Sequence, residues 1–264
     1  MSYFTANGIS AGYGKQSVIQ DISFTLEEGV LLGVIGANGS GKTTLLKAIC
    51  GILPHRGACA LKQTQLEALP PKQIAKIVSY IPQRSGISID ISALDVVLMG
   101  FNPRLGLLEQ PTKKMKKAAI AALEQMGLGG REETNYLHLS EGQKQLCVLA
   151  RTLVSDSKLL LLDEPESALD FRFRHWMLSL LRNWVSSGER SAIVTLHDPS
   201  LALNFCDKLL LLTGEGLLEI LEPQKESLDK MERQLSRIYG NISLQRCQNR
   251  RGESQIVILR EGEI

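Results

Sequence analysis

Eight consecutive residues, Gly36-Ala37-Asn38-Gly39-Ser40-Gly41-Lys42-Thr43, have the composition of a phosphate cradle. They follow the pattern G-x-x-x-x-G-K-[ST], preceded by an apolar strand-like run and followed by a helix-like one. Glycines let the backbone wrap an anion with its N–H groups turned inward, and the helix that opens at Gly41 adds a positive partial charge. Lys42 reaches β- and γ-phosphates in such a loop, and the Thr43 hydroxyl is a ligand for Mg²⁺. A second constellation is Leu159-Leu160-Leu161-Leu162-Asp163-Glu164, four leucines ending in two acids. A carboxylate at the end of a strand beside a phosphate loop holds Mg²⁺ through water, which suits Asp163. Glu164 points the other way along the strand and can polarise an attacking water.

Three further signals are weaker by themselves. Ser140 and Gln143 in Leu139-Ser140-Glu141-Gly142-Gln143 form a capping box, which explains them structurally. The same helix start could also bind phosphate through the Ser140 hydroxyl and the Gly142 amide. His197 follows an apolar run, and Gln83 follows Tyr80-Ile81-Pro82; a lone polar residue at a strand end is more often structural. Tyr13 lies in Gly12-Tyr13-Gly14, which reads as a turn.

The elements that must position these residues alternate. Phe4–Ala11 and Val18–Leu26 read as strands, Val30–Ile35 as a buried strand, and Gly41 to Gly51 as a helix. Thr112 caps a helix with Met115, Ala119, Ala122, Leu123 and Met126 on its apolar face, stopped by Gly127. A second helix runs from Ser140 to about Val154. Leu159–Leu162 and Ala192–Leu196 read as strands. Between them Asp170 opens a helix with Phe173, Trp176, Met177, Leu180, Leu181 and Trp184 on one face, ended by Gly188. Asp198-Pro199 starts another helix, Leu209–Leu212 and Leu217–Leu221 form a hairpin, and the tail adds a helix near Lys230–Tyr239. Two alternating runs follow, Ile242–Cys247 and Gln255–Leu259. Apolar strands alternating with helices predict an α/β fold with a mostly parallel sheet, its ligand site beyond the carboxyl ends of the strands. The expected division is a body formed by 1–86 and 158–264, with a helical subdomain at 87–157.

Composition narrows the function classes. The chain has 264 residues, 44% hydrophobic and 22% charged, which is ordinary for a globular protein. A net charge of +2 gives no electrostatic case for nucleic acid or an anionic membrane. Five dispersed cysteines and four histidines show no CxxC or HxxxH spacing, which speaks for free thiols in a reducing compartment and against a zinc site. No signal peptide is apparent, and no apolar run approaches the ~20 residues that span a bilayer. The expected chain is soluble.

Taken together and in order, these motifs resemble the nucleotide-binding subunit of ATP-binding cassette (ABC) transporters. The matches are Gly36–Thr44 (Walker A), Gln83 (Q-loop), Leu139–Gln143 (signature), Leu159–Glu164 (Walker B), Ser167-Ala168-Leu169-Asp170 (D-loop) and His197 (switch histidine). The resemblance implies a P-loop NTPase core with a mostly parallel sheet, N-terminal antiparallel strands and an inserted helical subdomain. It implies ATP and Mg²⁺, with ATP contacts from Tyr13, Val18, Asn38, Gly39, Ser40, Gly41, Lys42, Thr43 and Thr44. Tyr13 would stack on adenine, with Val18 flanking it. Glu164, His197 and Gln83 would serve catalysis; Thr43, Gln83 and Asp163 would serve the metal. In a head-to-tail homodimer Ser140, Gly142, Gln143 and Asp170 would reach the ATP of the other copy. Separate transmembrane permease subunits, an indirect substrate-capture protein and a cytoplasmic site on the inner face of the cell membrane are implied as well.

Finer similarity lies in Tyr80-Ile81-Pro82-Gln83, Asp95–Gly100, Leu196-His197-Asp198-Pro199 and Leu235–Gly240, which look like the importer group for iron–siderophore, haem and cobalamin. Related members carry molybdate. The chain departs from the family at Glu141, where glycine is usual, at Leu146, where arginine is usual, and at Phe101-Asn102-Pro103, where Arg-x-Pro is usual. Glu141 would weaken ATP-driven closure by repelling the γ-phosphate across the dimer. Two alternatives stand beside a transport ATPase. A soluble ATPase acting on nucleic acid or cofactor assembly rests only on Lys113, Lys114, Lys116 and Lys117, and a module that binds ATP without hydrolysis rests on Glu141.

Overall fold

The computed structural model describes residues 2–106, 108–214 and 216–262. The chain begins with an antiparallel pair, β1 (Phe4–Tyr13) and β2 (Gln16–Leu26), followed by β3 (Leu31–Ile35) and α1 (Lys42–Ile49). Next come β4 (His55–Leu61), β5 (Thr64–Gln65), α2 (Pro71–Ile77) and β6 (Val78–Ile81). Three helices follow, α3 (Ala93–Leu98), α4 (Lys113–Gln125) and α5 (Glu141–Val154). The chain then alternates through β7 (Leu159–Asp163), α6 (Phe171–Ser186), β8 (Ser191–Thr195), α7 (Pro199–Phe205), β9 (Lys208–Thr213) and β10 (Gly216–Leu221). It closes with α8 (Leu228–Tyr239) and the hairpin β11 (Ile242–Gln248) and β12 (Ser254–Arg260).

The central sheet has six strands in the order β10-β9-β3-β8-β7-β6, parallel except for β10. A four-stranded antiparallel sheet, β2-β1-β4-β5, covers one face. The apolar runs of β3, β7, β8 and β9 follow from this sandwiching, because both faces of each strand are buried. Leu32, Val34, Leu159, Leu161, Ile193 and Leu210 turn toward α1 and the antiparallel sheet. Their neighbours Leu31, Ile35, Leu160, Leu162, Val194 and Leu209 turn toward the helices on the other face. That second core runs without a break into α3, α4 and α5 through Val96, Leu123 and Cys147.

Several local expectations shift. Gly12 and Tyr13 belong to β1, and the reversal falls at Gly14-Lys15. The face of α6 rotates: Met177, Leu178, Leu181, Trp184 and Val185 are buried, while Phe173 is exposed and meets Trp176 edge-on. Helix α6 ends at Ser186, before Gly188, and α8 starts at Leu228 behind its cap Ser227. The helix capped by Thr112 follows its expected pattern, with Ala119, Ala122 and Leu123 buried. The tail packs on the body: Met231 and Leu235 enter the core, and the Asn204 side chain bonds both the N–H and the C=O of Ile256.

Candidate active site

Four parallel strands, β3, β8, β7 and β6, lie side by side and end at one edge of the sheet. Asp163 is paired with Thr195, Leu162 with Val194, and Ile81 with Leu162. The register therefore gathers the phosphate loop after Ile35, the acids after Leu162, His197 after Thr195 and Gln83 after Ile81. This is the carboxyl-end crevice expected of such a sheet.

The phosphate loop is shaped by its glycines. A Cβ on Gly36 would lie 2.2 Å from the Leu212 carbonyl oxygen. Gly41 has φ 96°, and a Cβ there would meet Ile19 Cγ2 at 2.3 Å. Lys42 is buried and its Nζ donates to the carbonyls of Gly36 at 2.8 Å and Ala37 at 3.2 Å. Burial pushes the Lys42 ammonium below the ordinary lysine range, opposed by the carboxylates of Glu164, Asp163 and Glu166. Ser40 Oγ is buried without a hydrogen-bond partner among the described residues, a free polar atom within the cradle. Val18 and residues 38–44 line a cleft of about 170 Å³ that Glu164 closes on one side.

The acids are held from several sides. Thr43 Oγ1 donates to Asp163 Oδ1 at 3.0 Å, Thr195 Oγ1 to the same oxygen at 2.9 Å, and Tyr80 OH to Oδ2 at 3.2 Å. Burial, with the charge and hydrogen bond of Asp163 beside it, pushes the Tyr80 hydroxyl far above the ordinary tyrosine range. Glu164 sits in the left-handed region at φ 47°, a strained backbone for a side chain with a Cβ. Its N–H donates to Thr195 Oγ1 at 2.8 Å, which fixes the turn. Glu164 Oε2 accepts from Gln83 Nε2 at 2.5 Å and faces His197 Nε2 at 2.7 Å. His197 is anchored in turn by its backbone N–H, which donates to Glu166 Oε1 at 3.0 Å. Glu166 is 2% exposed, and burial raises its carboxyl above the ordinary glutamate range.

The structure thus brings Val18, Asn38–Thr44, Asp163, Glu164, Gln83 and His197 together. It keeps five other expected residues apart from that cleft in the single chain. Tyr13 is half exposed and lines a separate hollow with Lys15, His55 and Arg56. Ser140 and Gln143 form the reciprocal capping box of α5, with Gln143 N to Ser140 Oγ at 3.3 Å and Ser140 N to Gln143 Oε1 at 3.0 Å. Gly142 approaches the Ala168 carbonyl so closely that a Cβ would lie 3.2 Å from it. Asp170 caps α6 by accepting from Phe173 N at 2.9 Å. Thr195, Tyr80 and Glu166 escape the sequence reading. Thr195 lies there inside the strand Ala192–Leu196 and Tyr80 beside Gln83, while Glu166 is not singled out.

A glycine-rich loop between a parallel strand and a helix, facing two acids on the next-but-one strand, defines a P-loop nucleoside triphosphatase. Residues 19–167 match the ABC transporter family, and the chain belongs to it as an ATP-hydrolysing cassette. An ATP-binding protein assigned to iron chelatin transport in Helicobacter pylori is 34% identical over 79% of this chain and 83% of its own length. A hemin import ATP-binding protein of Vibrio parahaemolyticus is 34% identical over 81% and 83%. A zinc transport system ATP-binding protein of Treponema pallidum is 35% identical over 80% and 78%. Among solved structures, a chain of an inward-facing ABC transporter assigned to the metal-chelate type superposes with a TM-score of 0.82 at 27% identity, covering 99% of both chains. Among the described residues, no helix is long and apolar enough to cross a membrane.

Proposed function

We propose that this chain powers an importer of iron chelates, haem or a related metal-containing substrate. It does so by hydrolysing ATP between two copies closed head to tail. The observation that carries the reading is the convergence of Thr43, Asp163, Glu164, Gln83 and His197 beside the phosphate loop. The substrate class rests on the iron chelatin, hemin and metal-chelate relatives; the zinc relative widens it to metal ions.

In this reading the phosphate loop and Lys42 hold the triphosphate. Thr43, Asp163 and Gln83 offer the oxygen donors that suit Mg²⁺, which when bound neutralises phosphate charge. Glu164 accepts the proton of the attacking water as the water oxygen bonds the γ-phosphorus, while the bond from that phosphorus to the β–γ bridging oxygen breaks and the bridging oxygen leaves on ADP. Gln83 and His197 orient Glu164 through the two contacts to its Oε2. Tyr13 stacks on adenine with Val18 at its edge. Ser140, Gly142, Gln143 and Asp170 complete the site from the second copy, using the α5 N-terminus to meet the γ-phosphate. Residues 87–157 transmit closure to separate permease subunits at the inner face of the membrane.

Affinity purification of the tagged chain from detergent-solubilised membranes of its source cell tests the coupling. Stoichiometric recovery of a polytopic membrane protein is expected. Recovery of soluble partners alone, with the complex shown intact by a control, would contradict it.

A further inference from the structure

We propose that His55, Cys59 and Glu67 form a binding site for one divalent cation of borderline softness, Zn²⁺ in particular, on the outer antiparallel sheet. Their ligand atoms, one nitrogen, one sulfur and one oxygen, lie within 4.8 Å of one another. His55 Nε2 is 3.1 Å from Glu67 Oε1, and the same oxygen accepts from Cys59 N at 2.7 Å. In a regular strand His55 and Cys59 would stand about 13 Å apart at Cα, too far to share a ligand. The strand is not regular at Gly57, which faces the extra residue that β1 carries at Gly8-Ile9. The φ of Gly57 is 93°, a Cβ there would lie 2.5 Å from the carbonyls of Asn7 and Gly8, and the register against β1 slips at this point. Glu67 enters from the turn after β5.

The donor set matches the cation. Imidazole, thiolate and carboxylate together suit Zn²⁺, whereas Mg²⁺ and Ca²⁺ favour oxygen alone. With Cys59 deprotonated and His55 neutral, a 2+ ion and its two anionic ligands sum to zero charge, as a largely buried site requires. Cys59 is fully buried, the His55 side chain is 8% exposed, and the Glu67 side chain is 35% exposed, which leaves one open approach. Binding sends the thiol proton to solvent and leaves His55 protonated on Nδ1, which faces the Leu53 carbonyl at 3.4 Å. That carbonyl is the outer partner that orients a metal-bound imidazole. Among the described residues this is the one cluster of its kind, and it lies outside the nucleotide cleft. The site would pin β4 to the following turn, beside the hollow that Tyr13 lines.

Co²⁺ titration of the full chain without nucleotide or Mg²⁺ tests the site, read by the near-ultraviolet thiolate-to-cobalt band. One equivalent is expected to give the band, and Zn²⁺ to displace it. Cys50→Ser and Cys247→Ser keep the band, and Cys59→Ser removes it. His55→Gln weakens Co²⁺ binding by about tenfold or more, since losing a ligand costs no less than losing an outer partner. A wild-type chain without the band overturns the proposal, as does a band lost with Cys247→Ser or surviving Cys59→Ser. Should Cys59→Ser fail to fold, His55→Gln decides: unchanged Co²⁺ affinity in a variant that melts normally and binds ATP overturns it.

Discussion

Thr195 makes two bonds that none of its apolar neighbours in β8 could make. Its hydroxyl donates to Asp163 and accepts from the strained Glu164 N–H. Thr195→Val keeps the shape and strands a buried N–H, so a loss of ~1–3 kcal/mol is expected in denaturant unfolding, with ATPase activity falling as well. Thr195→Ser restores most of both. Glu164→Gln keeps the contacts of its remaining oxygen but removes the proton acceptor. Single-turnover assays are expected to show hydrolysis reduced by about 10²-fold or more, with ATP binding retained. The acids, the phosphate loop, Gln83 and His197 were legible in the sequence because spacing and chemistry coincide in them. Thr195 and Glu166 were not, because one has the same β-branched shape as a valine and the other is an acid whose burial depends on tertiary packing.

Among the elements, the N-terminus of α5 combines a stability device with the surface proposed to meet the γ-phosphate. Removing the cap with Ser140→Ala is expected to cost ~1 kcal/mol, read as a lower melting temperature of the isolated chain. Glu141 separates the two roles. Its side chain is exposed and paired with Lys144 at 2.8 Å, so it serves the single helix while setting a negative charge at the surface that would face ATP. Glu141→Gly is therefore expected to lower the ATP concentration needed for dimerisation; an unchanged value would sink the idea that this residue restrains closure. The long helices and the leucine-rich strands were readable because each follows its period without interruption. The segment from β4 to α3 was not. His-Arg-Gly-Ala-Cys-Ala-Leu lacks β-branched residues and carries the left-handed Gly57, and β6 has only four residues. Without β4 the approach of His55 to Cys59 is invisible, since their spacing fits no metal motif.

For the whole molecule, Asp156 joins three distant segments. It meets Arg104 at 3.0 Å and Arg190 at 2.8 Å, just before β7. Partial burial alone would raise its carboxyl, but the two guanidiniums outweigh that and hold it below the ordinary aspartate range. A depressed carboxyl contributes stability that is complete above about pH 4 and disappears as pH falls through its native value. Asp156→Asn tolerates the same left-handed backbone, φ 53°. It is expected to lower the melting temperature at pH 7 and to converge with wild type in acid; the gap is at most ~1 kcal/mol, because the pair is half exposed and screened. In the proposed mechanism ATP is held between two copies of this chain. Light scattering of the Glu164→Gln variant, with and without saturating ATP, tests it most directly. ATP is expected to convert this variant from monomer to dimer, and Lys42→Ala introduced into it to abolish the conversion. A Glu164→Gln chain that binds ATP yet stays monomeric at saturation would contradict it.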